Sequence, residues 1–310
     1  MSFDVAAAVA SAHLTSAKTA VLVGATTGIG AAAARTLASV GVARIIVVGR
    51  DVQRGEQVLA ACRAASTAAD RVQGGLALVT RFIPADLSTR AGALQCARDL
   101  ATQSPIHYLI MCQNGVPRIP VQFNEDGDAS SFAVQALSRF ILPQALISAG
   151  ALGADTVVIN VANVGQTLAG LSVDDLSLKS MPARTNIGAW AAQSARDSSV
   201  RDAFITEQIK RYPDIKWFHV FPGLVASERF QYDAFPFPIN WMIWALMYTP
   251  LAKSTQALAD LVVYIALEPD NAAQVAGNFV GPTMNRLKPG AWAADPANRA
   301  ALWTKLESMS

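Results

Sequence analysis

Seven short runs rich in valine and isoleucine alternate with longer alanine-rich stretches along most of the chain, and this alternation constrains the fold more than any other feature. The runs lie at about 19–24 (TAVLVG), 44–49 (RIIVVG), 76–83 (LALVTRFI), 107–112, 155–161, 215–221 and 275–280. Continuous apolar runs are what strands buried on both faces require, and helical crossovers between them make a parallel sheet with helices on either side. Helices are predicted at about 28–40, 51–65, 88–103, 128–149, 187–211 and 253–267, with a last one near 296–308. No repeat or low-complexity linker interrupts the series. Residues 1–310 therefore read as one domain carrying an insertion at 164–186 and a lid-like segment near 224–252.

Charge and cysteine usage exclude several classes. The 25 lysines and arginines nearly balance 23 aspartates and glutamates, with no basic run, so no nucleic-acid partner is expected. Cys62, Cys96 and Cys112 are odd in number and widely spaced, which argues against a disulfide framework and a metal knuckle. A reducing, cytoplasmic compartment is the natural expectation. The start of the chain has no basic residue before its alanine run and reads as a leading helix, not a signal peptide. Residues 234–252 are uncharged, but Pro236, Pro238 and Asn240 spoil a membrane-spanning helix. A pocket lid is the first reading of that segment, and shallow membrane contact through Trp241, Trp244 and Tyr248 the second.

Between the first strand and its helix lies VGATTGIG, with Gly24, Gly28 and Gly30. Glycines at this spacing let the backbone approach a pyrophosphate, which the free N–H groups of the helix start can bind. Thr26 and Ile29 belong to the same turn. The second strand ends at Gly49-Arg50, where an NAD-selective chain carries an acidic residue for the ribose hydroxyls. A guanidinium there suits a 2′-phosphate, so NADP is the expected cofactor, with the neighbouring Asp51 as the argument against.

The glycine spacing, the ADLS stretch (Asp86, Leu87) after the third strand and FPGLVAS (Pro222, Gly223, Ser227) after the sixth resemble the short-chain dehydrogenase/reductase superfamily. The resemblance implies a doubly wound Rossmann-type α/β fold with a seven-stranded parallel sheet and a C-terminal helix. It assigns Asp86 to the adenine and Pro222, Gly223 and Ser227 to the nicotinamide carboxamide. LSVDDLSLK, YPDIKWFHVFPG and ALWTKLES look like a fungal branch, which implies an intermediate of specialised metabolism as substrate.

The family's proton relay does not carry over. Its asparagine falls on Gln135, its serine on Asn163, and its tyrosine and lysine on Ala191 and Ala195. A shift of one residue brings Trp190 or Arg196 instead, neither of them a tyrosine or lysine. The formal match YPDIK at Tyr212–Lys216 is rejected, because Pro213 breaks the helix the pair needs. Asn163 and Gln135 are the expected polar groups of the site. Tyr232, with Asp233 and Tyr248, is a candidate replacement acid. His219 reads as a core histidine, and Arg139 faces either cleft or solvent.

Three functions stay open at this stage. One is an NADP-dependent oxidoreductase acting on a small apolar carbonyl or alcohol. The second is a redox-silent cyclase, pericyclase or isomerase that uses neutral amides, and the third a non-catalytic binding protein. A homo-oligomer contact through the helix containing VRDAFITEQI is a further open expectation.

Overall fold

The valine- and isoleucine-rich runs pair as a sheet in a computed structural model that describes residues 4–12, 14, 17–73, 77–180, 186–226, 239–247, 249 and 252–310. After α1 (Val5–Ser11) come β1 (Thr19–Val23), α2 (Gly28–Ser39), β2 (Arg44–Gly49), α3 (Val52–Gln73), β3 (Val79–Pro84), α4 (Arg90–Ala101) and β4 (Tyr108–Met111). A short α5 (Ser130–Phe132), a π turn (Ala133–Leu137) and α6 (Ser138–Ser148) then lead to β5 (Val157–Val161). The long α7 (Asn186–Arg211) precedes β6 (Lys216–Val220), β7 (Val225–Ala226), α8 (Ile239–Met247), β8 (Lys253–Ser254) and α9 (Thr255–Leu267). The chain closes with α10 (Pro269–Ala276), β9 (Phe279–Val280), α11 (Ala291–Ala294) and α12 (Pro296–Glu307).

The main sheet has seven strands in the order β3-β2-β1-β4-β5-β6-β9, every neighbouring pair parallel. Successive β1 residues enter opposite cores: Ala20 and Leu22 pack with α2 and α9, Val21 and Val23 with α4 and α6. Strand order reverses between β1 and β4, so the crevice outside their carboxyl ends is where such a fold accepts a ligand.

Some predicted boundaries need correction. Of the run 275–280 only Phe279–Val280 is strand, because Pro269 starts a further helix that ends at Gly277, whose φ of 69° is left-handed. The helix predicted at 128–149 is broken by the π turn. In α6, Pro143 supplies no N–H to the carbonyl four residues earlier, that of Arg139.

Helix α7 is buried around most of its middle, polar residues included. The insertion explains this, since its backbone is stitched to α7 side chains. Asp202 accepts from Gly165 N at 2.8 Å, Ser198 from Gln166 N at 3.2 Å and Ser199 from Leu168 N at 3.0 Å. Arg196 donates to the Leu176 carbonyl at 2.9 Å. Each of these bonds satisfies a buried polar side chain of α7 that would otherwise be stranded.

Candidate active site

The glycine turn follows β1 at the crevice. Gly24 (φ 72°) lies so close to the end of β4 that a Cβ would stand 2.4 Å from the Gln113 backbone. A Cβ on Gly30 would stand 2.8 Å from Ala25 Cα, which fixes the tight seat of α2 against the strand. Gly28 (φ 62°) has open space where a side chain would project. This is a bare backbone at a helix start, the cradle a pyrophosphate needs. Thr26 is half-buried, its methyl under Gly49, and Ile29 packs partly into the core.

Beyond β2 and β3 lies an open depression of about 300 Å³ lined by Arg50, Pro84, Ala85 and Asp86. Asp51, the acidic neighbour of Arg50, is engaged elsewhere. Asp51 accepts from Arg54 N at 3.0 Å and pairs with Arg54 Nε at 3.0 Å, capping α3. Arg50 makes no ion pair among the described residues. Asp86 uses one oxygen to accept from Ser88 N at 3.0 Å. The Leu87 side chain is buried in the core, which leaves its backbone as the part a nucleotide can meet. Pro222 and Gly223 (φ 67°) follow β6, half-exposed, while Ser227 lies outside the described residues.

At the ends of β4 and β5 the expected polar pair is tied together by its backbone. Arg201 donates to the carbonyls of Gln135 and Asn163, both at 3.3 Å. The side chains take separate partners. Asn163 Nδ2 donates to Ser194 Oγ at 3.4 Å, Ser194 donates to Gln166 Oε1 at 3.1 Å, and Gln135 donates to Asn114 Oδ1. On α7, Ala191 is exposed and Ala195 half-buried. Tyr232, Asp233 and Tyr248 lie outside the described residues.

Arg139 faces neither cleft nor solvent. It is fully buried and donates to the carbonyls of Met111 (2.6 Å), Gln113 (2.7 Å) and Val161 (3.1 Å), clamping the ends of β4 and β5. Burial pulls its pKa down to about 9, and the nearby Arg201 adds to the effect, so it stays charged at neutral pH. Burial also pushes the Cys112 thiol, beside the glycine turn, up to about 12. His219 sits in the core with Nδ1 3.1 Å from Asp202 Oδ1, and burial lowers its pKa. Tyr212 and Lys216 are engaged apart, with Gln144 at 2.7 Å and Asp270 at 2.7 Å. Sequence reading missed the Arg139 and Arg201 clamps and the hydroxyl of Ser194, while the Asp51 cap had a local signal, an aspartate directly before a helix.

The fold and glycine turn are those of a dinucleotide-binding α/β protein. No family model matches the chain. Among curated proteins, it is 28% identical over 268 residues to Polyprenol dehydrogenase of Mus musculus, covering 82% of this chain and 72% of that one. It is 28% identical over 253 residues to Retinol dehydrogenase 12 of Homo sapiens, covering 81% and 73%. A short-chain dehydrogenase/reductase from Serratia marcescens superposes with a TM-score of 0.60 at 20% identity, covering 91% of this chain and 100% of that chain. Alcohol dehydrogenase from Thermococcus sibiricus complexed with 5-hydroxy-NADP (TM-score 0.55, 16% identity, 86% and 96% covered) shares the fold. So does an NADH-dependent reductase complexed with NAD (0.57, 16%, 89% and 98%). The chain shares the fold of the short-chain dehydrogenase/reductase superfamily and is similar over about four fifths of its length to curated dehydrogenases.

Proposed function

We propose that the protein is an NADP(H)-binding oxidoreductase of this superfamily that acts on an apolar carbonyl or alcohol of specialised metabolism without the usual tyrosine and lysine. The observation that carries the cofactor choice is the pairing of Asp51 with Arg54, which removes the acidic competitor and leaves Arg50 beside Asp86 at the adenosine end. The cofactor, when bound, supplies or accepts the hydride. Gly24, Gly28 and Gly30 with the start of α2 would hold its pyrophosphate, and Pro222 and Gly223 its carboxamide. Asn163 and Ser194 would present neutral hydrogen-bond donors to the reacting oxygen, a role worth roughly 10²–10³ in rate per well-placed donor. The proton exchanged with that oxygen would pass through water, since Ser194 and Asn163 are too weakly acidic to release one.

Fluorescence titration tests the cofactor assignment. Wild type should bind NADPH more tightly than NADH, and Arg50→Ala should weaken NADPH by about tenfold or more while sparing NADH. Equal loss for both cofactors would refute the assignment. Turnover is tested by following NADPH absorbance across ketones, aldehydes and enones.

One observation favours a second reading, a redox-silent catalyst. Among the described residues, no ionisable side chain hydrogen-bonds to the side chains of Asn163, Ser194, Gln166, Gln135 or Asn114. Neutral amides can polarise a carbonyl with no hydride moved. Product formed with no change in NADPH would establish this alternative.

A further inference from the structure

Under the crevice lie three buried guanidiniums, Arg139, Arg196 and Arg201, and two buried carboxylates, Asp197 and Asp202. Arg196 Nε pairs with Asp197 at 2.7 Å, and Arg201 is balanced by Asp197 and Asp202. Arg139 is the least compensated of the three, with Asp197 the one carboxylate acting on it and not at ion-pair distance. Its ion-pair partners among the described residues number none, its Nε is unbonded, and its remaining contacts are carbonyls and the amide oxygen of Asn160, 3.5 Å from Nη1.

A buried cation with no ion-pair partner is costly, and here the cost has a simple remedy the chain does not use. Asn160 is fully buried in β5, and its Nδ2 has no hydrogen-bond partner among the described residues. An aspartate there would neutralise Arg139 and lose no bond. This weakly compensated charge instead sits where β4 and β5 deliver their carboxyl ends to the ligand crevice. A positive charge at that place discriminates between the two forms of a nicotinamide, whose ring is cationic when oxidised and neutral when reduced.

We propose that Arg139 is an electrostatic element of the cofactor site that makes this protein bind NADPH in preference to NADP⁺. The inference rests on the NADP reading above. By linkage, the same factor displaces the equilibrium of any hydride exchange on the protein toward the reduced cofactor.

The test is Asn160→Asp, with both dissociation constants measured by calorimetry on the full chain. Wild type should prefer NADPH by roughly tenfold or more, the size of effect one unit charge exerts at about 10 Å and an effective dielectric near 20. Asn160→Asp should bring the two affinities close to equality while melting at or above the wild-type temperature. If Asn160→Asp does not fold, Arg139→Gln carries the same expectation. A folded variant that keeps the full wild-type preference overturns the inference and leaves the NADP reading standing. Wild type that binds neither form overturns both.

Discussion

Replacement of Asp202 by alanine tests whether the insertion and the site share one buried anchor. Asp202 is fully buried on α7, and its Oδ2 accepts from Gly165 N at 2.8 Å and Gly290 N at 2.9 Å. The two donors are not equivalent. Gly290 is buried, so its N–H would lose a partner that water cannot replace, at a cost of about 1–3 kcal/mol. Gly165 is exposed, so water recovers most of that bond and the loss is nearer about 1 kcal/mol. Arg201 also loses one of the two carboxylates that offset its charge, and breaking such buried compensation costs about 3 kcal/mol by itself. These losses overlap, so about 4 kcal/mol is expected in all, a large share of the roughly 5–15 kcal/mol of a typical fold. Urea unfolding followed by circular dichroism measures it, with Asp202→Asn as a graded control that keeps one acceptor oxygen and loses about half as much. Because Gly165 is two residues from Asn163, ligand affinity should fall even where the alanine variant remains folded. A cost below about 1 kcal/mol would show that Asp202 is no anchor and that the compensation argument for Arg201 is wrong.

Three further expectations concern other parts of the molecule. Asn163→Ala should lower turnover by roughly 10²–10³ with NADPH affinity nearly unchanged, as steady-state kinetics beside a binding titration would show; a loss confined to KM points to ground-state binding only. His219 has a pKa below its unfolded value, so the unfolded chain takes up protons first as pH falls through about 6.5, and stability present above that pH is lost toward the lower folded value. His219→Gln should flatten that part of the stability profile, and His107, lowered chiefly by burial too, accounts for the slope that remains. On α8, Trp241 is 63% and Met242 59% exposed, and no helix among the described residues is long and apolar enough to cross a membrane. If α8 meets a bilayer face, the chain should cosediment with phosphatidylcholine vesicles and Trp241→Ala should reduce that binding about tenfold; equal sedimentation of the two would dismiss the contact.

Much of the architecture was legible because it depends on neighbours in sequence. Valine- and isoleucine-rich runs separated by alanine-rich stretches specify parallel strands with crossovers, and the glycines after β1 announce a backbone turn that side chains would obstruct. The alanines at 191 and 195 were equally plain. Helix α7 was not legible in the same way, because periodicity marks one apolar face and this helix is enclosed on several sides, with Ser198, Ser199 and Asp202 turned to the insertion.

By itself the sequence determined the order of elements, the dinucleotide turn and the neutral character of Asn163 and Gln135, since each is a local matter of residue type and spacing. Only the tertiary structure decided which charges are compensated. Arg139 meets carbonyls 22 to 28 positions away and Arg201 one 66 positions away, contacts that exist only once β4, β5 and α7 lie side by side. Burial then gives those charges their force, because inside the protein little water remains to screen them.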